Sequence, residues 1–309
     1  MISFRDCRPE IIDWLPSVLS GSPHDFVRRL NIEADRALWI DSLCGDLPPE
    51  DDLRLIVGGG EGRIALFAER LPWDSSFFGY GVARLNWIAG RGDTAAALNA
   101  LCETAQRRGV RYLFTPIPPT HLSGIQALCA AGFTLIETRH TYHRDLAGFD
   151  HPRYPCRVAT VMDIPTLAAA AREAVNPFDR FHADPFLRRA DVDRLMETWV
   201  EASLLRGFAD VTIVPDVPHP QAFTTVRYHR DRWEAWGVRL AQAAVLTAVA
   251  PEFRGWYRKL ITEITHHLIA LGVDHAYLTT QITNGAVIHV LEGLGYHFGK
   301  GEHIFRVIL

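Results

Sequence analysis

The sequence predicts a mixed α/β fold, an α+β type with a mixed sheet, in which two related units follow one another. Three observations predict it. Residues 245–296 read in order as an apolar β-branched run, a short Arg-Gly loop, an amphipathic helix, a second strand and a second helix. Gly109 to Gly132 and Gly272 to Gly295 are each 23 residues apart, and each interval reads strand, polar turn, helix, Gly-aromatic, with another strand behind it. Between these repeats, LAGFDHPRYPCR sets two prolines, a glycine and mixed charges between a strand end and a new strand. The expected division is therefore 1–146, a linker at 147–156, and 157–309.

Composition bounds the class. A chain of 309 residues with 48% hydrophobic and 22% charged residues has the balance of a globular protein and room for two domains. A net charge of −4 offers no clustered positive field for nucleic acid. No apolar run approaches the roughly 18 residues that span a bilayer, which argues against a membrane partner. MISFRDCRPEII carries an acid and a proline where a signal peptide would have its apolar core. The five cysteines, Cys7, Cys44, Cys102, Cys129 and Cys156, are odd in number, scattered and without a C-x-x-C pair, so they read as reduced thiols of a cytoplasmic protein.

Along the first unit, residues 1–46 read as mixed helix punctuated by Pro16, Pro23 and Gly45. LRLIV and RIALFAERL flank Gly58-Gly59-Gly60 as a hairpin, and the triple glycine reads as its turn rather than a phosphate cradle. LPWDSSFFG is rich in aromatics (Trp73, Phe77, Phe78), with Tyr80 next, and reads as a buried aromatic corner before a substrate platform. DTAAALNALCETAQRRG is a helix with Asp93 as N-cap and Arg107 and Arg108 in its last turn. RYLFTPI is a buried strand, HLSGIQALCAAGF a short helix, and TLIETRHTYHRDL the strand that closes the unit.

In the second unit RVATVM is a strand and LAAAAREAV a helix. NPFDRFHADP is a loop, and ADVDRLMETWVEASLLRG a helix capped by Asp191 and closed by Gly207. DVTIVPD and AFTTVRYHR are strands, and the long central strand lies within WEAWGVRLAQAAVLTAV. That strand ends at Pro251, and Arg254-Gly255 leads straight into Tyr257, Ile261, Ile264, Leu268 and Leu271 at helical spacing. The first backbone N–H groups of such a helix lack intrahelical partners and its dipole favours an anion there.

Other chemistries lack support. His266 and His267 are adjacent on a helix, about 100° apart, and His140 and His143 fall on opposite faces of a strand, so neither pair suits a metal. There is no G-x-S-x-G and no G-x-x-x-x-G-K-[ST].

V-x-P-x-x-R-G before a helix, GVDHAYL after it, then Asn284 and a later Gly-Tyr, resemble the core of the GCN5-related N-acyltransferases (GNAT). LPWDSSFFG, RFHADP, TWVEASL and TQITN resemble its subgroup typified by dTDP-fucosamine acetyltransferase, which acylates amines on nucleotide-linked sugars. The resemblance implies a tandem fold with a degenerate N-terminal unit and a complete C-terminal one. It implies an acyl-CoA-dependent N-acyltransferase whose donor is acetyl-CoA or another acyl-CoA and whose acceptor is a small-molecule amine; a homodimer stays open.

By that resemblance Val249, Arg254, Gly255, Trp256, Tyr257 and Asn284 hold the cofactor, while Arg180, His182 and Asp184 line the acceptor pocket. The alternative for the last three is a loop that ties itself together. Only the second unit has the V-x-P-x-x-R-G loop, so only it should bind the cofactor. Two departures stand out: Trp256-Tyr257 follows Gly255 where the family has small residues, as though two were missing, and Leu291 occupies the place of the tyrosine that protonates the thiolate. The shortened loop leaves fewer amides for pyrophosphate and puts bulk before it, so weak binding is expected. Catalytic candidates left near the last helix and strand are His289, Tyr296, His297 and His303, histidine being the residue that titrates near neutrality. Three functions follow: an N-acyltransferase, a fold relative that has lost acetyl-CoA and serves in binding or assembly, or an enzyme using another donor or reaction.

Overall fold

The computed structural model describes residues 22–59 and 62–309 and divides into two compact units. The expectations for Cys7, Pro16 and the Gly60 end of the hairpin turn lie outside the described residues.

Residues 22–25, Ile32–Thr138 and Gly301–Leu309 form the first unit. Its elements are α1 (Ile32–Cys44), β1 (Leu55–Gly59), β2 (Gly62–Arg70), α2 (Pro72–Phe78), β3 (Gly81–Arg91), α3 (Thr94–Arg107), β4 (Val110–Ile117) and α4 (Leu122–Ala130). The strands lie in the order β1-β2-β3-β4, and the far side of β4 is taken antiparallel by the end of the chain, His303 to Ile308. Ala97, Leu98, Leu101 and Ala105 bury one face of α3 against Leu66, Leu85, Leu113 and Phe305. Asp93 caps α3 as expected, its carboxylate accepting the Ala96 N–H at 2.9 Å. The aromatic stretch differs from expectation. Helix α2 has no buried residue, and Trp73 on Phe77 and Phe78 on Tyr80 stack pairwise at 5.7 Å while half-exposed.

Phe26–Asn31 and Arg139–Lys300 form the second unit. Strand β5 (Thr134–Asp145) enters it at Arg139, followed by β6 (Cys156–Val158), α5 (Ile164–Glu173), α6 (Arg189–Leu205), β7 (Val211–Pro215), β8 (Ala222–Arg227) and α7 (Trp233–Trp236). Then come β9 (Leu240–Val249), α8 (Trp256–Ala270), β10 (His275–Gln281), α9 (Gly285–Gly293) and β11 (His297–Ile308). The strand order is β5-β10-β9-β8-β7-β6, with β9 and β10 parallel and the other pairs antiparallel. Leu260, Ile261, Ile264 and Leu268 of α8 and Leu291 of α9 cover this sheet's core. Helix α6 is preceded by Arg188 rather than capped by Asp191. That aspartate sits in the first turn, where it accepts from Arg188 and Arg194.

The order strand, helix, strand, helix, strand occurs twice along the chain, as β3-α3-β4-α4-β5 and as β9-α8-β10-α9-β11, the last strand of each run continuing into the other unit. The stretch 147–156 lies inside the second unit. Phe149 is buried in its core, and Glu263 of α8 accepts from the Arg153 guanidinium at 2.9 Å and from the Tyr154 N–H at 2.5 Å. Because the first unit takes its last strand from the chain's end, deleting residues 301–309 should unpair one edge of β4 and remove Phe305 from the core. Hydrogen exchange should then show β4 and α3 amides losing protection; unchanged protection there would contradict the pairing.

On one face of β10 and β5 lie His275, Tyr277, His143 and Asp145. The His143 Nδ1 is buried without a partner, Phe26 lies 5.1 Å from its ring, and burial first, then the charges of His275, His297 and Arg28, push its pKa down to about 4. An unfolded histidine titrates near 6.5. The fold therefore keeps His143 neutral, and its stability should fall as pH drops from about 6.5 towards 4, by on the order of 2 kcal/mol. Urea melts of the native chain and of His143→Phe across this range check it: the fall should shrink in the variant.

Candidate functional site

Strands β9 and β10 are neighbours for only three residues each. Leu240, Ala241 and Gln242 pair with His275, Ala276 and Tyr277, and beyond them the strands part. On its other edge β9 pairs with β8 at Ala243 and again from Thr247 to Val249, and β10 stays paired with β5 as far as Gln281. A gap thus opens at the carboxyl ends of two parallel strands, with backbone N–H and C=O groups along it that no strand satisfies.

The chain turns from β9 into α8 at the mouth of this gap. Pro251–Phe253 form a single 3₁₀ turn, followed by Arg254 at φ −48°, ψ 131° and Gly255 at φ 93°, ψ −10°. These are the central angles of a type II turn, whose second central residue needs positive φ and so favours glycine. No side chain caps α8. Its first N–H groups therefore point outward unsatisfied, with the positive end of the dipole behind them. Arg254 is exposed, and its guanidinium makes no ion pair or hydrogen bond among the described residues. Trp256 and Tyr257 open α8 directly after Gly255, as expected. Both pack against the core cluster, Trp256 beside Phe253 and under the Lys259 ammonium at 4.5 Å, because an apolar ring at a helix start gains more from core contact than from solvent. Burial pushes the Tyr257 phenol up. Val249, the last residue of β9, is likewise partly buried against that core.

The first unit repeats the gap but not its mouth. Strands β3 and β4 pair only from Gly81 to Arg84 and Val110 to Phe114, and then part. Arg91-Gly92 does precede α3, but the Asp93 carboxylate occupies the helix end.

Asn284 caps α9, its side-chain oxygen accepting the Val287 N–H at 3.3 Å. Leu291 is fully buried in the core, so the helix offers no proton donor at that position. No hydrogen bond links the catalytic candidates to one another among the described residues. His289 stands on the exposed side of α9, with no hydrogen bond among the described residues, and His297 is exposed. Tyr296 is 1% exposed, its hydroxyl bonded to Thr265 Oγ1 at 2.9 Å, and burial pushes its pKa up to about 12. Its ring is packed with Leu294 in the core cluster under α8. His303 belongs to the first unit, where its Nδ1 meets Thr138 Oγ1 at 2.9 Å.

The residues expected on the acceptor side tie their loop together. His182 Nδ1 lies 2.6 Å from Asp179, whose other oxygen accepts the Phe181 and His182 N–H groups. Asp184 is 2% exposed and accepts the Phe186 N–H, while the Arg180 guanidinium lies over the Phe181 ring at 4.0 Å. The loop is joined to the end of β10 by Asn176, whose amide donates to Gln281 at 2.5 Å. Exposed Phe178 and Ile282 flank that join. Sequence reasoning missed Asn176, although Asn-Pro is a turn signal.

It also missed Ala244. Between the pairs Thr224 with Thr247 and Val226 with Ala243, one residue of β8, Thr225, faces three of β9. This bulge sets Ala244 at φ 51°, a value unusual for a residue with a Cβ, and nothing in its residue type announces it. Among the described residues no group of three or more His, Cys, Asp or Glu could hold a metal, and no helix is long and apolar enough to cross a membrane.

No protein-family model matches the chain, and no curated protein matches it. Solved structures do. A GCN5-related N-acetyltransferase from Sphaerobacter thermophilus matches 88% of this chain and 85% of its own, at TM-score 0.58 and 13% identity. The glucosamine N-acetyltransferase region of a fungal multi-domain GH3 β-N-acetylglucosaminidase matches 80% of this chain and 31% of that one, at TM-score 0.55 and 13% identity. A tandem GNAT protein from the clavulanic acid biosynthesis pathway matches 87% and 86%, at TM-score 0.50 and 14% identity. With the mixed sheets and the parted strands, these likenesses establish that the chain has the fold of the GCN5-related N-acetyltransferases.

Proposed function

We propose that the second unit binds an acyl-coenzyme A in the gap between β9 and β10 and transfers the acyl group to a small-molecule amine. The observation that carries this reading is the parting of the two strands beyond Gln242 and Tyr277 beside the uncapped start of α8. An extended amide-bearing arm can pair with the free edge of β9 as an added strand would, and a pyrophosphate suits the helix end and Arg254. Val249, Gly255, Trp256 and Tyr257 contribute backbone rather than side chains in this account.

In the transfer, a neutral amine attacks the thioester carbonyl, the C–S bond breaks, and the thiolate takes a proton as the nitrogen gives one up. The loop of Arg180, His182 and Asp184, held to β10 through Asn176, is the proposed acceptor side, and an amine on a nucleotide-linked sugar is the acceptor class the sequence favours. Leu291 in the core supports a second reading, in which the gap binds its ligand without turning it over, because no proton donor stands at that place on α9.

Titration calorimetry with coenzyme A and acetyl-CoA tests the binding. One site is expected, weak because the loop is short: two missing amide contacts at roughly 1–1.5 kcal/mol each weaken affinity about 30- to 150-fold, which takes a site of several micromolar into the range of about 0.1–1 mM. Arg254→Ala should weaken it further by about 1–3 kcal/mol. The melting temperature of that variant should not move, since the side chain is exposed and unpaired. Absence of heat up to several millimolar would remove the coenzyme from this site, and low-micromolar binding would overturn the account of the loop.

A further inference from the structure

We propose that Thr225 is a positioning residue of the gap, its hydroxyl holding β9 in the bulged form that turns the backbone of Val245 and Thr247 toward the ligand. The inference rests on the reading of the gap as the coenzyme site and adds a residue that neither the sequence motifs nor the fold likeness assigns.

Where one residue faces three, the main-chain ladder between two strands cannot continue. Here a side chain replaces it. Thr225 Oγ1 accepts the Leu246 N–H at 2.8 Å and donates to the Leu246 carbonyl oxygen at 3.2 Å, so one hydroxyl answers both backbone groups of Leu246. Thr225 is 1% exposed, which leaves no route for water to do the same from solvent. Ala244, two residues before Leu246, sits at φ 51°, a conformation that a residue with a Cβ keeps only when its surroundings hold it.

The consequence reaches the gap through the alternation of an extended strand. With both groups of Leu246 directed at β8, those of Val245 and Thr247 turn to the opposite edge, the one β10 has left. The hydroxyls of Thr224 and Thr247 meet at 2.8 Å, as expected where paired residues do not exchange backbone bonds and their side chains approach closely. Were the bulge to relax into a regular ladder, this edge would change register and its donors and acceptors would swap places along the gap. Thr225 touches no ligand in this account; it acts through Leu246.

Three variants test it: Thr225→Val, Thr225→Ser, and Thr225→Val combined with Ala244→Gly. The measurements are exchange protection of the Leu246 amide and calorimetric affinity for coenzyme A. In Thr225→Val the Leu246 amide should lose protection and affinity should fall by about tenfold, the loss of one well-made hydrogen bond. Thr225→Ser keeps the hydroxyl and should retain both. Adding Ala244→Gly, which removes the cost of positive φ, should recover much of the affinity lost in Thr225→Val. A Thr225→Val protein with native protection and native affinity overturns the proposal, as does a Thr225→Ser protein that weakens equally. If the native chain binds no coenzyme A, the coenzyme reading falls while the exchange comparison still decides whether Thr225 holds the bulge. Should Thr225→Val not fold, Ala244→Gly alone serves: a raised melting temperature with unchanged Leu246 protection is expected, and a lowered one contradicts the strained bulge.

Discussion

The parting of β9 from β10 is the constraint on which the rest of the second unit depends. Parallel neighbours in a sheet normally satisfy one another along their whole length, and backbone polar groups turned inward without partners are costly. Here none of the seven residues of β9 beyond Gln242 pairs with β10, and only Ala243 and Thr247 to Val249 pair in register with β8. The fold tolerates this because β8 and α8 hold β9 from the other edge and from one face, with Ala241, Ala243 and the apolar side of α8 packed in a common core. The strand is thus held in place while its free edge remains available. Such an arrangement is suited to a ligand that completes the sheet.

The two units differ at the helix start beside each gap. Both have a pair of parallel strands that part, and both have a helix starting beside the opening. In the first, Asp93 satisfies the helix end and puts a negative charge where a phosphate would sit. In the second, Gly255 ends a type II turn and no side chain caps the helix. The helix starts beside the two gaps therefore differ by one capping side chain.

Much of this was legible in the sequence. Helix α8 declared itself by the spacing of Ile261, Ile264 and Leu268, its start by Arg254-Gly255, and the repeat by paired glycines before aromatic residues. The site was less so. Tyr296 reads as a polar candidate by residue type, yet its ring fills the core and its hydroxyl is bonded to Thr265, a partner 31 residues away. Trp256 looks obstructive in a linear reading, but the first turn of α8 swings it onto Phe253 and the core. The strand exchange was illegible for another reason: which strand takes the free edge of β4 depends on residues almost 200 positions away, and no local pattern encodes that. Ala244 and Thr225 are ordinary strand residues in sequence, and only the register across β8 shows that one faces three.

The central claim is that the free edge of β9 and the start of α8 together form one ligand site. Amide chemical-shift mapping of the isotopically labelled chain during titration with coenzyme A tests it most directly. The account predicts that the perturbed amides form one group covering Val245, Thr247 and the first turn of α8 from Trp256 to Arg258, with Arg254 and Gly255 among them. Perturbations confined to the first unit, or spread over surfaces that include neither strand β9 nor the start of α8, would contradict it.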